Sequence, residues 1–349
     1  MSYFRDNVEA MEGYLPGEQP RVAKFIKLNT NENPYAPSGA VTRAIETTVS
    51  QGLARYPDPT AEAFRQRAAQ LHGVEPDWIL CGNGSDDILT IVTRALVGEG
   101  ERMRMPYPTY VLYETLANIQ GAIYEPIPYE TDWSLGEAFT SGTDGLKLAV
   151  IANPNSPSGT VIEPAKIAEI ADRLPCPLLV DEAYADFSTS DCLSLVAENE
   201  KIMVSRTMSK GYSLAGIRFG YLVARPELIE QFAKVKDSYN CNALAIAAAT
   251  AAIDDTAWLA ETRGKILATR ERLTGRLCEM GFSVTESQAN FVWATHAEMD
   301  LGSIYNDLKA LQILVRYMGY PGWNEGLRIT VGTDEQVDAL LTAMTALIA

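Results

Sequence analysis

A chain of 349 residues is longer than one hydrophobic core usually serves, so two lobes are expected. With 47% hydrophobic and 21% charged residues and no low-complexity tract, the whole chain reads as globular. A formal charge of -16 argues against nucleic acid or an anionic membrane as partner, since these are held by clustered lysine and arginine.

The start, MSYFRDNVEAMEGY, lacks the basic and then apolar run of a signal peptide, and no apolar run reaches membrane-spanning length. A soluble cytoplasmic protein is expected. The five cysteines are scattered without a C-x-x-C pair, and the two histidines are too few for a His-rich metal site or a Ser/His/Asp hydrolase. No metal is therefore expected, and His72 reads as a solvated helix end.

In chain order, the first 35 or so residues, with Pro16, Pro20, Pro34 and Pro37, read as an extended arm and not a core element. Apolar bursts separated by helix-period stretches follow: DWILCG, DDILTIVTRALVG, GLKLAVIAN, PLLVDEAY, KIMVSR and RFGYLVA. Short buried strands alternating with helices predict an α/β fold with a largely parallel, doubly wound sheet. After Arg225-Pro226 the pattern shifts to long helices, about 226–240 and 243–280. A second lobe then uses ANFVWAT, ILVRYM and GLRITVG as strands and DEQVDALLTAMTALIA as a closing amphipathic helix.

In doubly wound sheets ligands lie beyond the carboxyl ends of the strands, and four motifs fall there. In CGNGSDDILT a strand ends in glycines and Ser85 opens a helix, which suits an anion; Ser85 could equally be an N-cap. Asp86 and Asp87 would repel an anion with their side chains, so their backbone N–H groups are expected to face it. In LAVIANPNSPSG the amide of Asn155 could reach a ligand oxygen, or the motif is simply a turn. In PLLVDEAYADF the strand runs into Asp181, whose buried charge calls for a cationic partner unless it caps the turn. In VSRTMSKGYSLAGIRFGY, Lys210 follows a strand among small residues, placed to act as a nucleophilic amine, with Arg218 eight residues on.

With KLNTNENPYAPS, RYPDP, GNGSDD, PYPTY, NPNSPSG, DEAYADF, TMSKGYSLAGIRFGY and GLRITVGT in this order, the sequence resembles the fold type I pyridoxal-phosphate (PLP) aminotransferases, and more closely the histidinol-phosphate aminotransferase family. The resemblance implies a large domain with a mostly parallel seven-stranded sheet and a smaller α+β domain. Residues 1–40 would form the arm and part of the small domain, 41–235 the large PLP-binding domain, and 236–349 the connecting helices and C-terminal small domain.

It further implies that Lys210 carries PLP as a Schiff base and that Asp181 faces the ring nitrogen. Tyr184 and Asn155 would bind the ring 3-oxygen, and Tyr110 would lie against the ring. Ser85, the Asp86 backbone, Ser209 and Arg218 would hold the phosphate, with Tyr56 contributed by the second subunit of a homodimer with shared sites. Tyr14, Arg316 and Arg328 match positions that grip the acidic end of a small-molecule substrate. The implied reaction passes an amino group from histidinol phosphate to 2-oxoglutarate, a 2-oxo acid, in histidine biosynthesis. Aromatic amino-acid transamination and threonine-phosphate decarboxylation are the alternatives. A nucleotide-dependent dehydrogenase fits poorly, because CGNGSDD is not G-x-G-x-x-G.

Overall fold

The computed structural model describes residues 3–13, 17–19 and 25–348. Its strands are β1 (Ile26–Lys27), β2 (Ile79–Gly82), β3 (Arg102–Tyr107), β4 (Ile123–Pro128), β5 (Leu146–Ala152), β6 (Leu178–Asp181), β7 (Ile202–Thr207), β8 (Gly220–Val223), β9 (Ser283–Val284), β10 (Phe291–Thr295), β11 (Ile313–Leu314), β12 (Arg316–Met318) and β13 (Gly326–Thr330). Seven of them form one sheet in the order β2-β8-β7-β6-β5-β3-β4. Only β8 runs antiparallel to its neighbours.

The central strands are buried on both faces, which is why they read as continuous apolar runs. Leu178, Val180, Ile202 and Val204 pack into one core, while Leu179 and Met203 pack into the other. The same alternation sends Asp181 and Ser205 to one face of the sheet and Glu182 and Arg206 to the other. Glu182 is buried against Arg206 at 2.8 Å, and Arg206 also faces Asp186 and Asp191 at 3.5 and 3.2 Å.

Strands β3 and β4 have no apolar burst to mark them. ERMRMPY interleaves arginines, and Arg104, only 1% exposed, is accommodated by Glu125 at 3.0 Å and by the carbonyls of Phe139, Ser141 and Gly142. A buried guanidinium with its donors used reads as surface in any hydropathy pattern.

The second lobe holds the antiparallel sheet β12-β13-β10-β9 and the parallel pair β1-β11. Its core combines Leu28, Leu277, Val292, Leu327, Ile329 and Leu340. Leu28 corrects the expectation that the first 35 residues stay out of a core: β1 pairs with β11, and Leu28 is buried beneath them. ILVRYM is likewise two strands, since Ile313–Leu314 bonds to β1 and Arg316–Met318 to β13.

The helix expected over 243–280 is two helices, Ala243–Asp254 and Thr256–Glu279, bent by 78°. Asp255 breaks them: its carboxylate accepts from Trp258 N at 3.1 Å as an N-cap and from Ser38 Oγ at 2.5 Å. The preceding helix stops at Ala233, short of 240. His72 is not a solvated end: Nε2 lies 2.8 Å from the Tyr221 hydroxyl, the ring stacks on Tyr221, and burial lowers its pKa to about 4. Among the described residues no single helix is long and apolar enough to cross a membrane.

Candidate active site

At the carboxyl ends of the parallel strands lies a cavity of about 420 Å³, lined from both lobes. At one end the chain leaves β2 and enters the helix Ser85–Leu96. The N-cap is Gly84 at φ 88, so Ser85 is the first helical residue and not the cap it could have been. Two glycines let the segments meet here. A Cβ on Gly220 would stand 2.5 Å from Ser85 N, and one on Gly84 would stand 2.5 Å from Arg218 Nη2.

Arg218 donates through Nη1 to Ser209 Oγ at 3.3 Å and through Nη2 to the Asp86 carboxylate at 3.2 Å. Ser85, Asp86, Ser209 and Arg218 thus converge, at a helix N-terminus, on a cradle for an anion. One expectation is corrected. The Asp86 side chain faces the cradle, paired with Arg218 and reached by the Tyr110 hydroxyl at 3.4 Å. The Asp87 carboxylate turns back to accept from Asn83 N and the Asn240 amide, both at 2.9 Å.

On the cavity floor Asp181 is buried and accepts from Tyr113 Oη at 2.7 Å and from Ser205 Oγ and Ala183 N at 3.2 Å. The Ala183 bond is the turn cap; the other two hold the carboxylate toward the cavity. Burial raises its pKa against the pull of these donors, so a cation placed against it would hold it ionised.

Lys210 Nζ donates to the Thr30 carbonyl at 3.1 Å and lies 5.7 Å from the Tyr184 ring centre. Burial, followed by the charge of Arg328, lowers its pKa to about 8. The Tyr184 hydroxyl accepts from Asn31 Nδ2 at 2.9 Å, and its ring meets Phe291 edge-on.

Asn155 stands behind the cavity lining. Its Nδ2 donates to the Pro108 carbonyl at 3.2 Å and Ser158 Oγ at 3.0 Å, and its Oδ1 accepts from Thr109 Oγ1 at 2.8 Å. Both amide hydrogens are engaged within the loop. It braces the loop that carries Tyr110, while its neighbour Ser156 lines the cavity.

At the far end, Arg316 and Arg328 stand directly opposite each other on β12 and β13. Arg328 donates to Ser156 Oγ at 3.0 Å and to the Asn29 carbonyl at 3.1 Å, and its guanidinium lies 5.4 Å from the Phe291 ring centre. Among the described residues no carboxylate forms an ion pair with Arg316. Tyr14 lies outside the described residues. Tyr56 is 80% exposed, stacks on Tyr239 at 4.5 Å and is not part of the cavity lining of its own chain.

The residue-level reading missed Thr30, Asn31, Tyr113, Ser156, Ser205 and Tyr320 as parts of the site or its support. Thr30, Asn31 and Ser156 sit inside motifs already singled out by the resemblance, and their Asn- and Ser-rich runs away from helices were the available signal. Tyr113 and Ser205 look like ordinary helix and strand residues, and nothing in the local sequence marks them.

A doubly wound sheet with an amine, a buried carboxylate and an anion cradle at its strand ends, closed by a smaller lobe bearing arginines, is the architecture of the fold type I PLP-dependent transferases. Residues 23–344 match the family aminotransferase class I and II. The chain belongs to this family and, within it, to the histidinol-phosphate aminotransferases. The histidinol-phosphate aminotransferase of Rhodopirellula baltica is 53% identical over 339 residues, 97% of this chain and 94% of its own length. Histidinol-phosphate aminotransferase 1 of Trichormus variabilis is 45% identical over 348 residues, 99% of each chain. The crystal structure of histidinol-phosphate aminotransferase from Sinorhizobium meliloti in complex with pyridoxal-5'-phosphate superimposes with a TM-score of 0.91 at 26% identity, covering 100% of this chain and 98% of that one.

Proposed function

We propose that this chain is a PLP-dependent aminotransferase that passes the amino group of histidinol phosphate to 2-oxoglutarate, giving imidazole acetol phosphate and glutamate in histidine biosynthesis. The residues present fit the cofactor. The cradle of Ser85, Ser209 and Arg218, with the backbone N–H groups of the helix Ser85–Leu96, suits its phosphate, and Asp181 on the floor suits its ring nitrogen. Tyr184, Tyr110 and Lys210 all line the cavity, and on this reading they would meet its 3-oxygen, a ring face and its aldehyde carbon. Asn155, with its amide engaged elsewhere, is left in a supporting role.

When bound, the cofactor supplies an electron sink for the carbanion formed at the substrate's α carbon. The chain supplies the rest. Asp181 stays ionised against the ring-nitrogen proton and keeps it in place. Lys210, held as an amine whose pKa is lowered to about 8, would carry the proton at the substrate's α carbon. Tyr184 holds the 3-oxygen, and the surrounding apolar core keeps bulk water off the floor.

The observation that carries the choice of substrate is the pairing of Arg316 with Arg328 across β12 and β13. Two guanidiniums side by side offer more donors than one carboxylate needs, and they suit a dianionic phosphate. The same pair can hold a carboxylate of 2-oxoglutarate. The test is a screen of amino donors with 2-oxoglutarate, scored by glutamate formed. Histidinol phosphate should far exceed phenylalanine, tyrosine and threonine phosphate, and the last should release no carbon dioxide. A clear preference for phenylalanine or tyrosine would make the arginines carboxylate clamps and the enzyme an aromatic aminotransferase.

The enzyme is further proposed to work in the cytoplasm as a homodimer in which Tyr56 of each subunit reaches the cradle of the other. The support is that Tyr56 is exposed and lies outside the lining of its own cavity. Mixing impaired Tyr56→Phe subunits with Lys210→Ala subunits should raise activity above that of either alone, because a hybrid dimer holds one native site. A fully active monomer in sedimentation would refute the shared site.

A further inference from the structure

Asn31 lies in the NTNENP segment that crosses from the small lobe to the large one, and it is 1% exposed. Its backbone is left-handed at φ 56, a conformation asparagine tolerates better than most residues. Its polar groups are held on several sides. Nδ2 donates to the Tyr184 hydroxyl oxygen at 2.9 Å, and Oδ1 accepts from Thr330 Oγ1 at 3.1 Å. The backbone N–H donates to Thr330 Oγ1 at 2.9 Å, and the carbonyl accepts from Asn290 Nδ2 at 3.0 Å. Thr330 is two residues beyond Arg328 on β13 and Asn290 immediately precedes β10, so the amide is fixed by the lobe that carries the substrate clamp.

A phenol that accepts one hydrogen bond has its remaining proton directed elsewhere and donates it more strongly. For Tyr184, elsewhere is the cavity. We propose that Asn31 is a positioning residue for transamination: it orients and polarises the Tyr184 hydroxyl, and through it sets the protonation equilibrium of the bound cofactor. This rests on the cofactor reading above. The other groups facing Tyr184 are Arg328 from β13, Lys210 beyond β7, Asp181 at the end of β6, Asp86 on the helix Ser85–Leu96 and the uncharged ring of Phe291 on β10. Burial raises the Tyr184 pKa, Arg328 and the Asn31 bond oppose that rise, and Asp181 and Asp86 add to it.

The sign of the effect follows. A hydrogen bond given to the 3-oxygen stabilises its anionic form and weakens its hold on the proton of the adjacent nitrogen joined to Lys210. That proton then leaves at lower pH. Losing the Asn31 bond should raise the pH midpoint at which the holoenzyme's visible band changes.

The experiment is absorption against pH for the native holoenzyme and for Asn31→Gly, Asn31→Asp, Tyr184→Phe and Asn31→Gly/Tyr184→Phe. Asn31→Gly keeps the left-handed backbone and should move the midpoint up by about half to one pH unit, the equivalent of one ordinary hydrogen bond. Asn31→Asp is isosteric and carries the test if the glycine variant does not fold. It should shift at least as far, because its carboxylate accepts the phenol's proton. In the Tyr184→Phe background the glycine substitution should add little. Native midpoints in both coloured Asn31 variants, or an undiminished shift without the Tyr184 hydroxyl, would overturn the proposal. A native protein that takes up no cofactor and shows no visible band would overturn the cofactor reading and this proposal with it.

Discussion

Lys210→Ala should remove the visible absorption of the holoenzyme and lower turnover by at least about three orders of magnitude, because in the proposed assignment one amine serves as both covalent anchor and proton carrier. The argument starts from burial. Lys210 follows β7 with Nζ against the Thr30 carbonyl, and the loss of water together with the charge of Arg328 brings its pKa to about 8. An ordinary lysine, titrating near 10.4, would be almost wholly protonated at neutral pH. Since the shift is downward, the free amine gains population as pH rises through about 8 and changes little above it. Uptake of PLP by the apoprotein, followed in a rapid-mixing spectrophotometer, should therefore accelerate with pH up to that point and then level off. A coloured, active alanine variant would end the assignment of Lys210.

The second large effect is at Arg328. Replacing it with glutamine should cost roughly 2–5 kcal/mol in recognition of an acidic donor, a loss of about 30-fold to several thousand-fold in kcat/KM. The guanidinium is oriented before substrate arrives, by Ser156 Oγ, the Asn29 carbonyl and the face of Phe291, so its fork is already set for bidentate contact. Lysine at this position keeps the charge but not the fork and should recover only part of the loss. Steady-state kinetics with histidinol phosphate and histidinol provide the control. The phosphorylated donor should lose more, since the other has no anion to lose there. Equal losses would show that Arg328 supports the lobe and does not grip the phosphate.

The sequence was informative where chemistry and local pattern coincide. Buried central strands read as apolar runs, and Asp181, Lys210 and Ser85 stand out as polar residues at the ends of such runs. It was uninformative where a polar side chain is satisfied by distant partners. Arg104 hides β3, since its neutralisation by Glu125 on β4 is a tertiary event. Asn155 shows the converse: a polar residue at the right strand end is bonded to the loop at Pro108 and Thr109, 47 and 46 residues away in sequence. Asp255 was read as one residue of a continuous helix because its capping bonds form only once Ser38 is alongside.

The two cations that matter most, Lys210 and Arg328, are steadied by the consecutive main-chain oxygens of Thr30 and Asn29. Those acceptors belong to the peptide backbone and would survive nearly any exchange of side chain at positions 29 and 30. Alanine scanning would pass over them, and drift in ancestral sequences could rewrite both residues without touching either bond. What must be inherited at this point is the path of the chain, set by the pairing of Leu28 with β11 and β13 and by the left-handed turn at Asn31.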